Sequence, residues 1–196
     1  MSELQKGGVN LRINGKSFEI PIFPRHELLS VLPKNFSVEI PGKLLRGSWP
    51  VEKLPGIKTL GTEKIVSLYS SSDEKERIML PALISKVGMM GISHVAIDIQ
   101  NNINLLDAAM NNYDGKTLTY VHCQAGANRT GLFCFVANAK EKKLRNQPFK
   151  ENDLIAVLTK MLQSGYDYDK DKYIENLNEI INLCIKNGLL SADLFR

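Results

Sequence analysis

His122, Cys123, Gly126, Arg129, Thr130 and Gly131 all fall within one short stretch, VHCQAGANRTG, residues 121–131. A cysteine and an arginine six positions apart, with small or amide side chains between them, suit attack on a phosphoryl group. The thiol supplies the nucleophile. Gln124, Ala125, Gly126, Ala127 and Asn128 leave the backbone bare enough to curl, so that successive N–H groups point inward as an anion nest. Arg129, one turn into a following helix, offers a planar fork that can hold two phosphoryl oxygens. A cysteine at a helix N-terminus beside an arginine is favoured as the thiolate, the nucleophilic form. A bare cysteine–arginine spacing recurs by chance; His122, the central Gly126 and the trailing Thr130-Gly131 make this combination specific.

Such a loop needs a strand to deliver Cys123 and a helix to aim its N-terminus back at the thiol. TLTYVH (117–122) reads as that strand, and a helix starts within 126–130. Upstream the same rhythm repeats. KIVSLYS (64–70) is a strand, followed by a helix over about 73–90 that opens on Asp73-Glu74 and is interrupted or offset at Pro81. SHVAID (93–98) is the next strand and 102–113 the next helix, ending before the Asp114-Gly115 turn. This alternation predicts an α/β fold, a single domain with a central, mostly parallel sheet flanked by helices. The Cys123 loop then lies at the carboxyl edge of the sheet, where open α/β folds bind ligands.

Before this rhythm, KLLRGSWP (43–50) reads as a short strand entering a turn, with a helix within 51–60 despite Pro55 and Gly56. Residues 1–9 read as loose, and LRINGKSFEI (11–20) as a hairpin about Asn14-Gly15. The four prolines of 21–42 suggest an irregular wrap with one helical turn from His26 to Val31. After 131 the chain reads as all helix. In the last helix Tyr173, Leu177, Ile180, Ile181 and Cys184 share a face, and Gly188 suits the C-terminal cap. With no repeat and no linker, the expected division is an extension at 1–42, its hairpin packed on the core, and a catalytic unit at 43–196.

The bulk properties agree with a soluble domain: 196 residues, 43% hydrophobic, 23% charged, net charge +4. Mild basicity permits an anionic substrate, but the lysines are scattered, so no DNA is expected as a partner. RNA is disfavoured because no stretch interleaves basic and aromatic residues. The run Lys140, Lys142, Lys143, Arg145 reads as the solvated end of a helix. Three cysteines without paired spacing speak for a reducing compartment, and Cys134 and Cys184 read as structural. With no leader-like start and no apolar run near the roughly 18–20 residues of a span, the expected location is cytoplasmic. Export without a leader leaves the same sequence. Neither metal nor cofactor is implied by any ligand spacing.

VHCQAGANRTG resembles the His-Cys-x5-Arg-(Ser/Thr)-Gly signature of the cysteine-dependent protein tyrosine and dual-specificity phosphatases. More loosely, the likeness extends over 43–165, where KLLRGSWP and LGTEKIVSLYS are similar to the N-terminal part of atypical dual-specificity members. The resemblance implies Cys123 as nucleophile, with phosphate bound by Arg129 and the backbone of Gln124, Ala125, Gly126, Ala127 and Asn128. It also implies that Thr130 assists breakdown of a phosphocysteine and that His122 holds the loop and tunes the thiol. A histidine ending a strand is otherwise a satisfied core residue.

The leaving oxygen needs a proton, so a carboxylic acid should face Cys123. In the family it lies on a loop upstream, spelled Trp-Pro-Asp in the tyrosine-specific branch. Trp49-Pro50 comes too early and is followed by Val51, which makes it packing. Asp98, at the carboxyl end of SHVAID, is the candidate acid; its alternative role is to cap the following helix. His94 shares a strand face with Asp98 and either lines the pocket or is merely buried. No aromatic recognition loop deepens the site, so the expected substrates are phosphotyrosine, phosphoserine and phosphothreonine proteins or small phosphoesters. A phosphoinositide or inositol-phosphate phosphatase, an RNA 5′-triphosphatase and a non-catalytic phosphoprotein-binding module remain as alternatives.

Overall fold

The structure, a computed structural model, describes residues 8–21, 31–167 and 170–196. The helical turn expected from His26 lies outside the described residues. A two-stranded antiparallel hairpin, β1 (Gly8–Ile13) and β2 (Lys16–Pro21), comes first. Asn14 and Gly15 have φ of 47° and 87°, the left-handed pair that a two-residue hairpin turn requires. Its alternate residues Leu11, Ile13, Phe18 and Ile20 are buried in the main core. Gly8 and Val9, read as loose, already belong to β1.

The central sheet has five strands in the order β3-β4-β7-β5-β6. These are β3 (Ser37–Ile40), β4 (Leu44–Gly47), β5 (Lys64–Tyr69), β6 (Ser93–Asp98) and β7 (Thr119–His122). β4, β7, β5 and β6 run parallel, and β3 is antiparallel to β4. The expected strands and their parallel order are present, but reading 21–42 as irregular throughout is corrected by β3. Ser37–Ile40 is a strand because β4 offers its edge, a partner invisible in four residues of sequence.

Among the described residues six α-helices complete the fold: α1 (Leu54–Thr59), α2 (Glu74–Met89), α3 (Asn102–Asn112), α4 (Asn128–Leu144), α5 (Glu151–Gln163) and α6 (Asp171–Lys186). Side chains alternate across the strands. Leu45, Ile65 and Tyr120 meet α1 and α2 through Leu54, Ile57, Leu83 and Val87. Leu44, Val66, Leu68 and Val121 face the larger core beneath α3–α6. Pro55 sits in the first turn of α1, where its missing N–H costs nothing. Pro81 does not interrupt α2, which runs unbroken from Glu74 to Met89. The proline lies on the exposed side, where the carbonyl it leaves unpaired meets water.

The basic run closes α4 at its solvated end, as expected, with Lys143 and Arg145 exposed and Lys140 and Lys142 half-buried. Lys140 Nζ donates to the carbonyls of Met110 and Tyr113, each at 2.5 Å. Lys142 pairs with Asp153 at 2.8 Å, and Arg145 with Glu141 at 2.6 Å. Lys140 and Lys142 tie this end to the end of α3 and to α5, while Arg145 pairs within the helix. Leu177, Ile180, Ile181 and Cys184 are the buried face of α6, as their spacing predicts. Cys134 and Cys184 are fully buried, and burial pushes the Cys184 thiol up to about 12.

Candidate active site

β7 ends at His122, and Cys123 follows it, 3% exposed, at the base of a loop that closes at the N-terminus of α4. Four successive carbonyls of this loop are drawn outward by donors from the surrounding wall. Gln124 O accepts from Trp49 N at 3.2 Å and Ala125 O from Asn35 Nδ2 at 2.8 Å. Arg46 Nη2 donates to Gly126 O at 2.6 Å and to Ala127 O at 3.1 Å. With the carbonyls turned away, the N–H groups of residues 124–130 donate to no other described residue. α4 also begins without a side-chain cap, so its first-turn donors add to the same cradle. Gly126 has φ +72°, and a Cβ there would overlap the backbone of Gly47 and Ser48. The loop can lie this close to β4 only with glycine at that position.

Arg129 reaches over the carboxyl edge of the sheet. Its Nη1 donates to Leu68 O at 3.0 Å and to Glu76 Oε2 at 2.8 Å, while Nη2 donates to Glu76 Oε1. A guanidinium has five N–H bonds, and three are used here. The edge formed by Nε–H and the second Nη2–H has no partner among the described residues. Glu76 is 1% exposed and also accepts from Ser70 N at 2.6 Å, so the carboxylate is itself fixed. Burial opposes the arginine's charge, but the Glu76 hydrogen bonds and the fields of Cys123 and Asp73 leave it held above the ordinary arginine value.

His122 is fully buried between the ring of Trp49, edge-on at 5.0 Å, and the ring of Tyr120, stacked at 5.8 Å. Its Nε2 is 2.7 Å from Ser67 Oγ. Burial pushes the imidazole down to about 3; the Cys123 backbone opposes that shift, and His94 and Arg129 add to it. The ring is therefore neutral. Thr130 is fully buried, and its Oγ1 has no hydrogen-bond partner among the described residues.

Asp98 ends β6 on the same sheet edge, and the field of Arg129 reaches it. Its Oδ1 accepts from Ser71 N at 2.9 Å and its Oδ2 from Gln100 Nε2 at 3.1 Å. The Ser71 hydrogen bonds hold the carboxyl below the ordinary carboxylate range. The capping role belongs to Asn101, whose side chain accepts from Asn104 N at the start of α3. Trp49 does pack, and it packs on the site. Arg46, Glu39, Glu76, Asn35 and Ser67 escaped the sequence reading. For Glu76 the available signal was its place in the first turn of α2, where acids also complement the helix dipole. Among the described residues no three His, Cys, Asp or Glu side chains converge as a metal-ligand set.

No family model matches this sequence, and no curated protein matches it. Solved structures do match. The core catalytic domain of the PP-IP phosphatase SIW14 from S. cerevisiae aligns over 81% of this chain and 96% of its own, with 19% identity and a TM-score of 0.53. A DUF442 protein from Shewanella putrefaciens CN-32 aligns over 78% of this chain and 92% of its own, with 18% identity and a TM-score of 0.56. The architecture is the fold of these phosphatase structures.

Proposed function

We propose that the chain hydrolyses phosphomonoesters through a phosphocysteine intermediate. The observation that carries this reading is the loop itself, with four carbonyls turned outward, its N–H groups uncommitted, and two N–H groups of Arg129 without a partner among the described residues. In the first step Cys123 Sγ attacks phosphorus. The bond from phosphorus to the leaving oxygen breaks, and Asp98 gives that oxygen a proton. In the second step Asp98 takes a proton from water, whose oxygen attacks phosphorus, and the S–P bond breaks with help from Thr130 to the departing sulfur. The loop N–H groups and Arg129 stabilise charge on the phosphoryl oxygens throughout.

Asp98 must carry a proton when the first step begins. The hydrogen bonds that keep it ionised in the free protein are opposed once a phosphate dianion sits beside it, because like charge favours the protonated form. Asp98→Asn is expected to lower kcat by roughly 10²-fold on alkyl phosphates. An aryl phosphate with a good leaving group should lose far less. Equal losses on both would remove Asp98 from this role.

The substrates proposed are proteins phosphorylated on tyrosine, serine or threonine. A second reading, an inositol-phosphate substrate, is supported by the fold shared with the PP-IP phosphatase and by exposed Lys34 beside the loop-clamping Asn35. The test is a turnover panel of phosphopeptides, phosphoinositides, soluble inositol phosphates and 5′-triphosphate RNA, with Cys123→Ser as control. Turnover that disappears in the variant supports the reading. No turnover on any substrate would replace it with phosphoprotein binding.

A further inference from the structure

A trans peptide is planar, and its carbonyl and N–H point to opposite sides. Holding Ala125 O outward therefore turns the Gly126 N–H into the loop. The same holds for the other three peptides whose carbonyls are drawn outward, but the four are not held alike. Gln124 O accepts from the main chain of Trp49, and Gly126 O and Ala127 O accept from the fully buried Arg46. Ala125 is exposed, and among the described residues its carbonyl has only the half-buried side chain of Asn35, at 2.8 Å. Turning the Ala125–Gly126 peptide over changes ψ of Ala125 and φ of Gly126, and glycine accepts either sign of φ. This peptide is the one whose direction the loop's own chain enforces least.

The neighbours of Asn35 aim it. Lys34 O accepts from Ser48 N at 2.8 Å, and Phe36 packs into the core shared by α1 and α2. Asn35 itself has φ 55°, a left-handed conformation that asparagine adopts more readily than most residues. That conformation would accept glycine equally well, so it does not account for the amide. Facing a carbonyl, the amide can engage only through its NH2.

We propose that Asn35 is a positioning residue: by holding the Ala125 carbonyl outward, it keeps the Gly126 N–H turned into the loop, where a phosphoryl oxygen accepts from it. The inference rests on the phosphatase reading of the loop. Without the clamp the peptide can turn and present its carbonyl, whose negative end repels phosphate. Water replaces part of the clamp at an exposed carbonyl. The loss therefore falls short of the roughly 10²–10³-fold that follows deletion of an oxyanion donor.

Asn35→Gly removes the clamp where φ suits glycine, so the chain should fold with little change in Tm. Its kcat/KM on an aryl phosphate should fall roughly tenfold. Asn35→Asp keeps the shape but meets the carbonyl with an acceptor, and should lose more, roughly 10²-fold. Nitrogen-15 NMR of the Gly126 amide, titrated with inorganic phosphate, reads the clamp without turnover. In the parent chain this N–H should shift downfield as phosphate binds, and in Asn35→Gly the shift should shrink. An asparagine that served the fold alone would lower Tm and leave that response unchanged. A folded Asn35→Gly whose Gly126 N–H answers phosphate as the parent's does overturns the inference alone. An Asn35→Asp protein as active as the parent does the same, and carries the test should Asn35→Gly fail to fold. A parent chain whose loop amides ignore phosphate overturns the inference together with the reading beneath it.

Discussion

Two arginines bracket the same loop, and each is paired with a glutamate. Arg129 looks into the mouth, with its side chain 23% exposed, and Glu76 fixes one edge of its guanidinium. Arg46 stands behind the wall, with its side chain and that of Glu39 both 0% exposed and 3.5 Å apart. Arg46 spends its Nη2 donors on the carbonyls of Gly126 and Ala127. Both arginines leave donors unpaired, Nε and Nη1 in Arg46, but Arg46 is fully buried while Arg129 is partly exposed, and that is the difference between them. A guanidinium that is to meet a ligand must be oriented and still accessible, whereas one that shapes a loop can be closed off from solvent. The two should therefore fail differently, Arg129 through activity and Arg46 through stability.

The largest effect is expected at Arg129. Arg129→Lys keeps the charge and loses the fork, so kcat/KM should fall by roughly 10³-fold with little change in Tm. A comparable loss of Tm would erase the contrast. Arg46→Met comes next, because it leaves Glu39 buried without its partner. Chemical denaturation should show a loss of about 3–5 kcal/mol. Adding Glu39→Leu should recover most of that stability while kcat stays low, since the carbonyls of Gly126 and Ala127 remain unheld. Recovery of kcat along with stability would mean that Arg46 is only a core residue.

A third effect is in pH and is spread over several pH units. Burial lowers His122 from its ordinary 6.5 to about 3, so between those values the unfolded chain binds one more proton than the folded chain. Its contribution is full above pH 6.5 and is lost as pH falls toward 3. The slope is up to about 1.4 kcal/mol per pH unit. Urea titrations on both sides of pH 6.5 should show a steeper acid loss in the parent chain than in His122→Phe. Equal slopes would mean that the ring is not buried neutral.

What was legible in the sequence was local. The bare run from Gln124 to Asn128, the strand before it and the helix after it announced the cradle. Asn14-Gly15 announced the hairpin. What was not legible depends on distant partners. Nothing in LLRG marks Arg46 as a partner of the loop, and only the parallel pairing of β4 with β7 carries it beneath Gly126. Glu76 reads as a residue that complements a helix dipole, and only the packing of α2 beside β5 turns it toward Arg129. Ser67 is one hydroxyl in an apolar strand, and its two histidine partners lie on two different neighbouring strands. β3 escaped for the same reason, because four residues acquire strand character from the edge they join.

The central claim is that phosphorus becomes bonded to Cys123 during turnover. Acid quenching of the protein early in turnover, followed by mass spectrometry of its peptides, tests this directly. The expected result is one phosphoryl group on the peptide containing Cys123, absent from Cys123→Ser. A phosphoryl group on any other residue, or a burst of leaving group with Cys123 unmodified, would contradict the mechanism.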